Sequence, residues 1–310
     1  MAFYPYQNTH SFPGDFTSGM SAFERRELLN ACGKRPLDTL QQALKTMTGC
    51  GTFLEFKHRV VSPHRMIDPD LSLVLITEIR WDGTEQTLSF RALMRDETQY
   101  KLMATTGQLI YHAATASKTV KHNLMYVSPD ERDAEGQLIR PIRRQGLASV
   151  VAQSQEDAWE TAGYHAVTLT ASEAAPETVK FGPQQLAVKR SDFNGRVFWA
   201  KQGYDFDPHH SATAQTYIRS AFRRLIEDAK AKGELPEAYA DAVLARVQDV
   251  PPWVIEDVVA ETHDGKERWL GRMALDGQDW DARKELNPNA DGARAGLERR
   301  LESLRKHPLR

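Results

Sequence analysis

The chain has 310 residues, of which 41% are hydrophobic and 26% are charged, and this composition is typical of soluble globular proteins rather than disordered ones. Its formal net charge of −2 gives no overall indication of binding to nucleic acid or to an anionic membrane. No segment approaches the ~20 apolar residues of a membrane-spanning helix, and the two cysteines provide neither a disulfide framework nor a CxxC zinc site. We expect a cytoplasmic protein without membrane contact. The first twenty residues do not resemble a cleavable signal peptide. A protein exported by a specialised secretion system would also lack such a signal, so this route stays open.

The N-terminal part of the chain is predicted to be an irregular arm followed by two helices, together residues 1–49. Ser21 and Glu24 have the spacing of a capping box, and Pro36 begins the second helix. Cys50 follows the second helix. No neighbouring His or Asp activates its thiol, so a buried structural cysteine is favoured over a nucleophile.

The next hundred residues are dominated by β-strand patterns. Asp82-Gly83 marks a hairpin turn between two long apolar runs rich in β-branched residues. The predicted strands cover residues 51–61, 71–81, 85–94, 107–113 and 122–127.

A turn with two arginines precedes a predicted helix in the middle of the chain. This turn is Arg143-Arg144-Gln145-Gly146-Leu147-Ala148-Ser149, and apolar residues then recur at helical spacing up to Gly163. The first turn of such a helix has unpaired N–H donors and the positive end of the helix dipole, so it would bind a phosphate or pyrophosphate. An ordinary solvated loop ahead of an amphipathic helix is the alternative.

The segments that follow give the order loop, helix, strand, with a predicted strand at 164–171. In this context Arg143-x-x-Gly146-x-Ala148 resembles the acyl-CoA pyrophosphate loop of the GNAT (GCN5-related N-acetyltransferase) superfamily, R/Q-x-x-G-x-G/A. The later run Phe198-Trp199-Ala200-Lys201-Gln202-Gly203-Tyr204 is similar to the helix-to-strand segment of the same family.

The resemblance implies an α/β (α+β) fold in which a mixed, mostly antiparallel sheet is flanked by helices. It places a GNAT-like core at 50–206 and extra C-terminal helices at 207–310. The cofactor would be acetyl-CoA or another acyl-CoA, and the acceptor an amine of a small molecule, a peptide or an aminoacylated RNA, the only nucleic acid expected. The implied cofactor-binding residues are Val127, Arg143, Arg144, Gln145, Gly146, Leu147, Ala148 and Ser149.

Two features depart from the family pattern. The predicted helices precede the first predicted strand instead of following it. A polar segment at 130–136 separates Val127 from the arginine turn, and it is either a substrate-facing loop or a neutral surface insertion.

The catalytic assignments follow from the acyl-transfer chemistry that the resemblance implies. A base must accept the proton of the amine, and Glu78, His112 and His122 lie on predicted strands that could face a central cleft. Each of them would otherwise be a hydrogen-bonded or solvent-facing residue. Trp199 stands where many family members have an acidic tyrosine, so Tyr204 or Tyr126 would have to replace it, or the thiolate would leave unassisted.

The region after residue 206 is predicted to be helical. Its helices cover residues 212–232, 238–247, 253–259 and 293–306. Asp205, Asp207, His209 and His210 are interpreted as a loop leading into a helix with Ser211 as N-cap, and no metal site is predicted.

Two other functions remain open at this point. One is a catalytically degenerate GNAT-like binding or effector protein. The other is a nucleic-acid-binding module that uses Arg219, Arg223 and Arg224, which would otherwise form a solvated helix face.

Overall fold

The computed structural model describes residues 16–17, 19–32, 37–61, 66–81, 83–142, 146–172, 178–181, 184–187 and 195–286. Within them a seven-stranded sheet of mixed but mostly antiparallel strands is flanked by helices, as the predicted α+β fold requires.

Three helices precede the sheet: α1 (Ala22–Cys32), α2 (Leu37–Thr48) and α3 (Phe53–Val60). The first two were predicted. The third replaces the predicted strand at 51–61, because Thr52 and Glu55 form a capping box and every third or fourth residue then faces the core. The strand prediction for this segment was wrong.

Four long strands form an antiparallel meander, as the sequence predicts. They are β1 (Asp68–Trp81), β2 (Glu85–Arg95), β3 (Lys101–His112) and β4 (Ser117–Val127). The polar segment after β4 contains a separate two-stranded ribbon of β5 (Glu131–Arg132) and β6 (Leu138–Arg140). This ribbon lies outside the main sheet, in agreement with an insertion.

The middle of the chain follows the predicted order of helix and strand. Helix α4 (Leu147–Thr161) leads to β7 (Ala166–Ala171), which pairs in parallel with β4. A small ribbon of β8 (Thr178–Phe181) and β9 (Gln184–Ala187) comes next. The chain then forms α5 (Gly195–Lys201) and the short strand β10 (Asp205–Phe206).

The helical region after β10 returns to the sheet. It contains α6 (Ala212–Ala231), α7 (Glu237–Arg246), α8 (Pro252–Ile255), β11 (Val259–Glu261), β12 (Glu267–Trp269), α9 (Leu270–Asp276) and finally β13 (Trp280–Glu285).

Strand β13 lies between β7 and β10, so the sheet order is β1-β2-β3-β4-β7-β13-β10. Residues 207–279, here called the inserted helical region, are therefore enclosed by two strands of the sheet. Strand β13 was not predicted, because its residues are mostly charged or polar. A truncation after residue 210 would remove this strand, and the predicted helix at 293–306 lies outside the described residues.

The main hydrophobic core lies on one face of the sheet, beneath α3 and α4. Its centre is Trp159 on α4, whose ring contacts Phe56, Phe90 and Tyr164 at centroid distances of 5.8 to 6.4 Å. A smaller cluster covers the other face and consists of Leu75, Leu93, Ala104, Leu124, Tyr126 and Phe181. This division into two faces decides which side chains meet at the candidate site.

Helix α6 also contributes to the main core. Ile218 and Phe222 are buried, whereas the neighbouring Tyr217 is 48% exposed. None of the helices in the part of the chain that the structure describes has the length and apolar character needed to cross a lipid bilayer.

Candidate active site

The two parallel strands at the centre of the sheet separate part of the way along their length. β4 and β7 pair only from Thr119 opposite Ala166 to His122 opposite Leu169. Beyond this point both strands continue without pairing to each other, and β7 pairs with β13 on its other side. We call the unpaired stretch between residues 123–127 of β4 and residues 170–171 of β7 the strand gap.

A β-bulge in β4 lies at the start of the strand gap. His122 pairs with Gly107 of β3 and Leu124 pairs with Thr106, so Asn123 is an extra residue. The bulge inverts the alternation of side chains along β4. Val120 lies in the main core before the bulge, and Met125 packs against the same core after it.

His122 is buried at this position, with 3% of its surface exposed. Neither Nδ1 nor Nε2 has a hydrogen-bond partner among the described residues. Burial lowers the pKa of the imidazole to about 4, so the ring is neutral at physiological pH. A buried polar ring without a partner costs free energy, and such a ring is expected where a ligand or water supplies the missing bonds.

One face of the His122 ring is covered by an aromatic side chain from α5. Trp199 stacks on it with ring centroids 5.8 Å apart and an angle of 28° between the planes. The indole also makes edge contacts with Phe198 at 4.9 Å and with Tyr204 at 5.1 Å. The His122 nitrogens are on the ring edge, away from the face on which Trp199 stacks.

The N-terminus of α4 lies at the end of the sheet at which the strand gap opens. Because α4 connects two parallel strands, it runs in the direction opposite to them, so its N-terminus is at their carboxyl ends. Consistent with this direction, Lys118 at the start of β4 donates to the carbonyl of Ala162, just past the C-terminus of α4.

The first residues of α4 fit the predicted anion-binding turn. Gly146 has φ +73°, and a Cβ atom built on it would meet no atom within 4 Å. Leu147 is buried, Ala148 packs against the core, and the Oγ of Ser149 accepts a hydrogen bond from Gln202 at 3.0 Å. The other residues of the predicted turn, Arg143, Arg144 and Gln145, lie outside the described residues. Val127 ends β4 and packs against the main core.

Tyr204, one of the predicted substitutes for the missing acid, is fully buried and occupied. Its hydroxyl donates to Glu156 Oε1 at 2.8 Å, and Lys284 from β13 donates to the other oxygen of Glu156 and to the carbonyl of Gln202. Burial, followed by the charge and the hydrogen bond of Glu156, raises the pKa of Tyr204 well above its usual value. Its proton is therefore held by a structural network.

The other predicted catalytic residues lie away from His122. Tyr126 is buried in the small cluster on the opposite face of the sheet. Glu78 is on the edge strand β1 and binds Arg80 with an N–O distance of 2.6 Å, and His112 at the end of β3 pairs with Glu85 at 3.4 Å. Of the five predicted catalytic residues, the structure thus places His122 at the strand gap and does not bring the other four together there.

Side chains of the predicted loop before α6 take part in hydrogen bonds within the fold. The Asp207 carboxylate accepts a hydrogen bond from the backbone N–H of His209, and the Ser211 hydroxyl donates to the backbone carbonyl of Asp281 instead of capping α6. The described ranges contain no group of three or more His, Cys, Asp or Glu side chains arranged to hold a metal ion.

Arg219 is partly buried over the Phe206 ring, so it is not part of a freely solvated face. Cys50 is buried and donates to the Thr48 carbonyl, and burial raises the pKa of its thiol, as expected for a structural cysteine.

His122 and Gly146 were among the site residues predicted from the sequence, whereas the bulge at Asn123 and the contacts of Trp199 and Gln202 were not predicted. The stacking of Trp199 on His122 joins residues 77 positions apart, for which the local sequence carries no signal. Comparison with protein-family models and with curated proteins finds no match to this chain.

Proposed function

We propose that the chain is an acyl-CoA-dependent N-acyltransferase that transfers an acyl group, most simply acetyl, to an amine. The observation that carries the proposal is the strand gap between β4 and β7, which opens at the end of the sheet where α4 begins. One end of an extended ligand would enter the gap, while an anionic group binds at the helix N-terminus.

The start of α4 has the features that a pyrophosphate requires. Gly146 has a left-handed backbone that an L-residue adopts with strain, and the space beside it is open. The first N–H groups of a 15-residue helix follow directly. Arg143 and Arg144 are proposed to add positive charge, and Gln145 to Ser149 to supply the backbone donors.

The strand gap supplies an uncharged imidazole. Acyl-CoA would provide the activated acyl group, which moves from sulfur to the acceptor nitrogen as the C–S bond breaks and the N–C bond forms. His122 is proposed to take the proton that the amine loses, directly or through water, since a neutral ring nitrogen can accept it. The pKa of about 4 makes His122 a weak base, so an acceptor that is already partly uncharged is favoured.

A protein acid is not part of this proposal. Trp199 occupies the position suggested for the family tyrosine, Tyr204 is bonded to Glu156, and Tyr126 lies on the other face of the sheet. The thiolate would therefore leave without protonation by a tyrosine.

The commitment of Tyr204 to Glu156 also favours a second candidate function. A chain with the same gap and helix but without an acid could bind acyl-CoA, or a similar nucleotide, as a binding or effector protein without turnover. The acceptor class, whether a small molecule, a peptide or an aminoacylated RNA, stays a prediction, as does the cytoplasmic location.

Isothermal titration of acetyl-CoA, combined with a thiol-release assay over a panel of amines, tests the two functions. Arg143→Ala should weaken acetyl-CoA binding by roughly ten- to a hundredfold, because a charge-assisted contact contributes about 1.5–3 kcal/mol. His122→Asn should retain binding and lose turnover.

The pattern of results separates the candidates. Binding without thiol release by the native chain would support the second function. If the native chain does not bind acetyl-CoA, or if Arg143→Ala binds it equally well, the cofactor assignment fails and the acyltransferase proposal with it.

A further inference from the structure

Trp199 stacks on His122, and this contact has no role in the proposed acyl transfer itself. Trp199 is 7% exposed and comes from α5, whereas His122 is on the central strand β4. Their near-parallel rings cover one another's faces. The indole therefore shields one side of a polar ring whose two nitrogens have no partner among the described residues.

Among the residues that the structure describes, no charged group contributes to the pKa shift of His122. Its strand neighbours are Gly107 on β3 and Leu169 on β7. The pKa of His122 is lowered by burial, without a charged neighbour as a cause. Tyr204, which contacts the Trp199 indole, donates to Glu156, and Lys284 donates to the same carboxylate.

We infer that Trp199 is a positioning residue for the reaction. From α5 its indole holds the His122 imidazole where β4 and β7 separate and keeps water from one ring face, so that the ring edge is left to a molecule in the strand gap. This inference rests on the proposed function for its chemical meaning, but the contact itself can be tested without acyl-CoA.

The physical basis is desolvation by a flat apolar surface. An imidazole whose face is covered by an indole cannot be hydrated on that side, so its protonated form is disfavoured and its orientation is restricted. Phenylalanine at position 199 would keep a planar surface. Leucine would keep apolar volume without one, and alanine would admit water.

The experiment measures the titration of His122 by NMR in the native chain and in Trp199→Phe, Trp199→Leu and Trp199→Ala, with His122→Asn to assign the resonance. The matched control is Phe198→Leu, because Phe198 is the neighbouring aromatic residue on α5 and contacts Trp199. The pH profile of kcat/KM and the Kd for acetyl-CoA are measured on the same proteins.

We expect His122 of the native chain and of Trp199→Phe to remain neutral down to about pH 5, below the ordinary histidine pKa of about 6.5. In Trp199→Ala the pKa should rise by about 1 unit or more toward 6.5, and the acidic limb of kcat/KM should move with it. The His122 pKa in Trp199→Leu should lie between the values in Trp199→Phe and Trp199→Ala. Phe198→Leu should leave both measurements unchanged, and all variants should bind acetyl-CoA within about threefold of the native Kd.

Several results would overturn the inference. One is a native His122 that titrates near 6.5. Another is a uniform loss of kcat/KM at every pH with unchanged His122 titration, which indicates only structural damage. If Trp199→Ala does not fold, Trp199→Phe and Trp199→Leu test the inference. An equal His122 pKa in these two variants would show that a planar ring at position 199 has no effect on the titration. Failure of the native chain to bind acetyl-CoA overturns the proposed function and the reaction role of Trp199 together. An unmoved titration in a chain that binds acetyl-CoA overturns this inference alone.

Discussion

Two buried titratable side chains contact the same indole and have opposite hydrogen-bonding surroundings. The Trp199 ring is 5.8 Å from His122 and 5.1 Å from Tyr204, measured between centroids. Tyr204 donates to Glu156, which is also bound by Lys284. His122 has no partner for either nitrogen among the described residues.

This difference distinguishes a polar side chain that stabilises the fold from a polar side chain that is available to a ligand. The Tyr204 network joins α4 to β13 and to the start of β10, and a buried network whose members are bonded makes the fold rigid. The His122 ring makes no hydrogen bond to any of the described residues, so its burial costs stability at the place where β4 and β7 stop pairing. Such a cost is expected at a site that binds a ligand.

The first test of the comparison between His122 and Tyr204 is the pH dependence of the free energy of unfolding. The His122 pKa is about 4 in the folded chain and about 6.5 when unfolded. Between these values the unfolded chain binds more protons, so the free energy of unfolding should rise with pH. The contribution of neutral His122 to the free energy of unfolding should be complete above about pH 6.5. It should be lost as pH falls through 4, a change on the order of 3 kcal/mol.

Urea unfolding of the native chain and of His122→Leu between pH 4 and 7.5 provides the measurement. The difference between the two proteins isolates His122 from the other groups that titrate over this range. A constant difference across the whole pH range would show that His122 is not held neutral by burial.

A second prediction concerns the anion-binding end of the site. Gly146→Glu should reduce acetyl-CoA affinity by a hundredfold or more, at least about 2.7 kcal/mol, through added bulk and repulsion of phosphate. The fold should tolerate a carboxylate at a helix N-terminus. Isothermal titration gives the affinity.

Helix α4 provides a matched control at its other end. Gly163 also has a positive φ, +81°, and open space beside it. Gly163→Glu therefore introduces similar backbone strain and the same charge but should retain binding. Equal losses in both variants would mean that strain, not ligand contact, causes the effect.

Much of the fold could be predicted because local signals agree with the final structure. The Ser21 and Glu24 capping box, the hairpin at Gly83 and the glycine after α4 each mark an element boundary that the structure confirms. Helix α3 was missed although Thr52 and Glu55 form the same capping pattern, because its apolar spacing also suggests alternation. Strand β13 was missed because it is rich in charge and finds its place only through pairing with β7 and β10.

The candidate site was predicted less completely, for a specific structural reason. Simple alternation along β4 places His122 and Tyr126 on the same face, and both were expected near the cleft. The extra residue Asn123 inverts the alternation and sends Tyr126 to the other face. The acid position could be matched to Trp199, but its stacking on His122 depends on how α5 packs against the sheet.

The smallest expected effects give the sharpest form of the comparison, since they have opposite signs. Tyr204→Phe removes a hydrogen bond to the buried Glu156 carboxylate, which Lys284 still contacts, so the free energy of unfolding should fall by about 1–2 kcal/mol. His122→Leu replaces a polar ring without described partners by an apolar side chain of smaller size. At pH 7 it should raise the free energy of unfolding by up to about 1 kcal/mol while abolishing turnover.

Urea unfolding and the thiol-release assay on the two variants provide both readouts. Tyr204→Phe should keep turnover to the extent that it remains folded, because its hydroxyl is held by Glu156 and not by the reaction. If His122→Leu is instead the less stable variant, the His122 nitrogens have a partner in solution that stabilises the fold. The distinction between a residue left for the ligand and one used by the fold would then not hold at this indole.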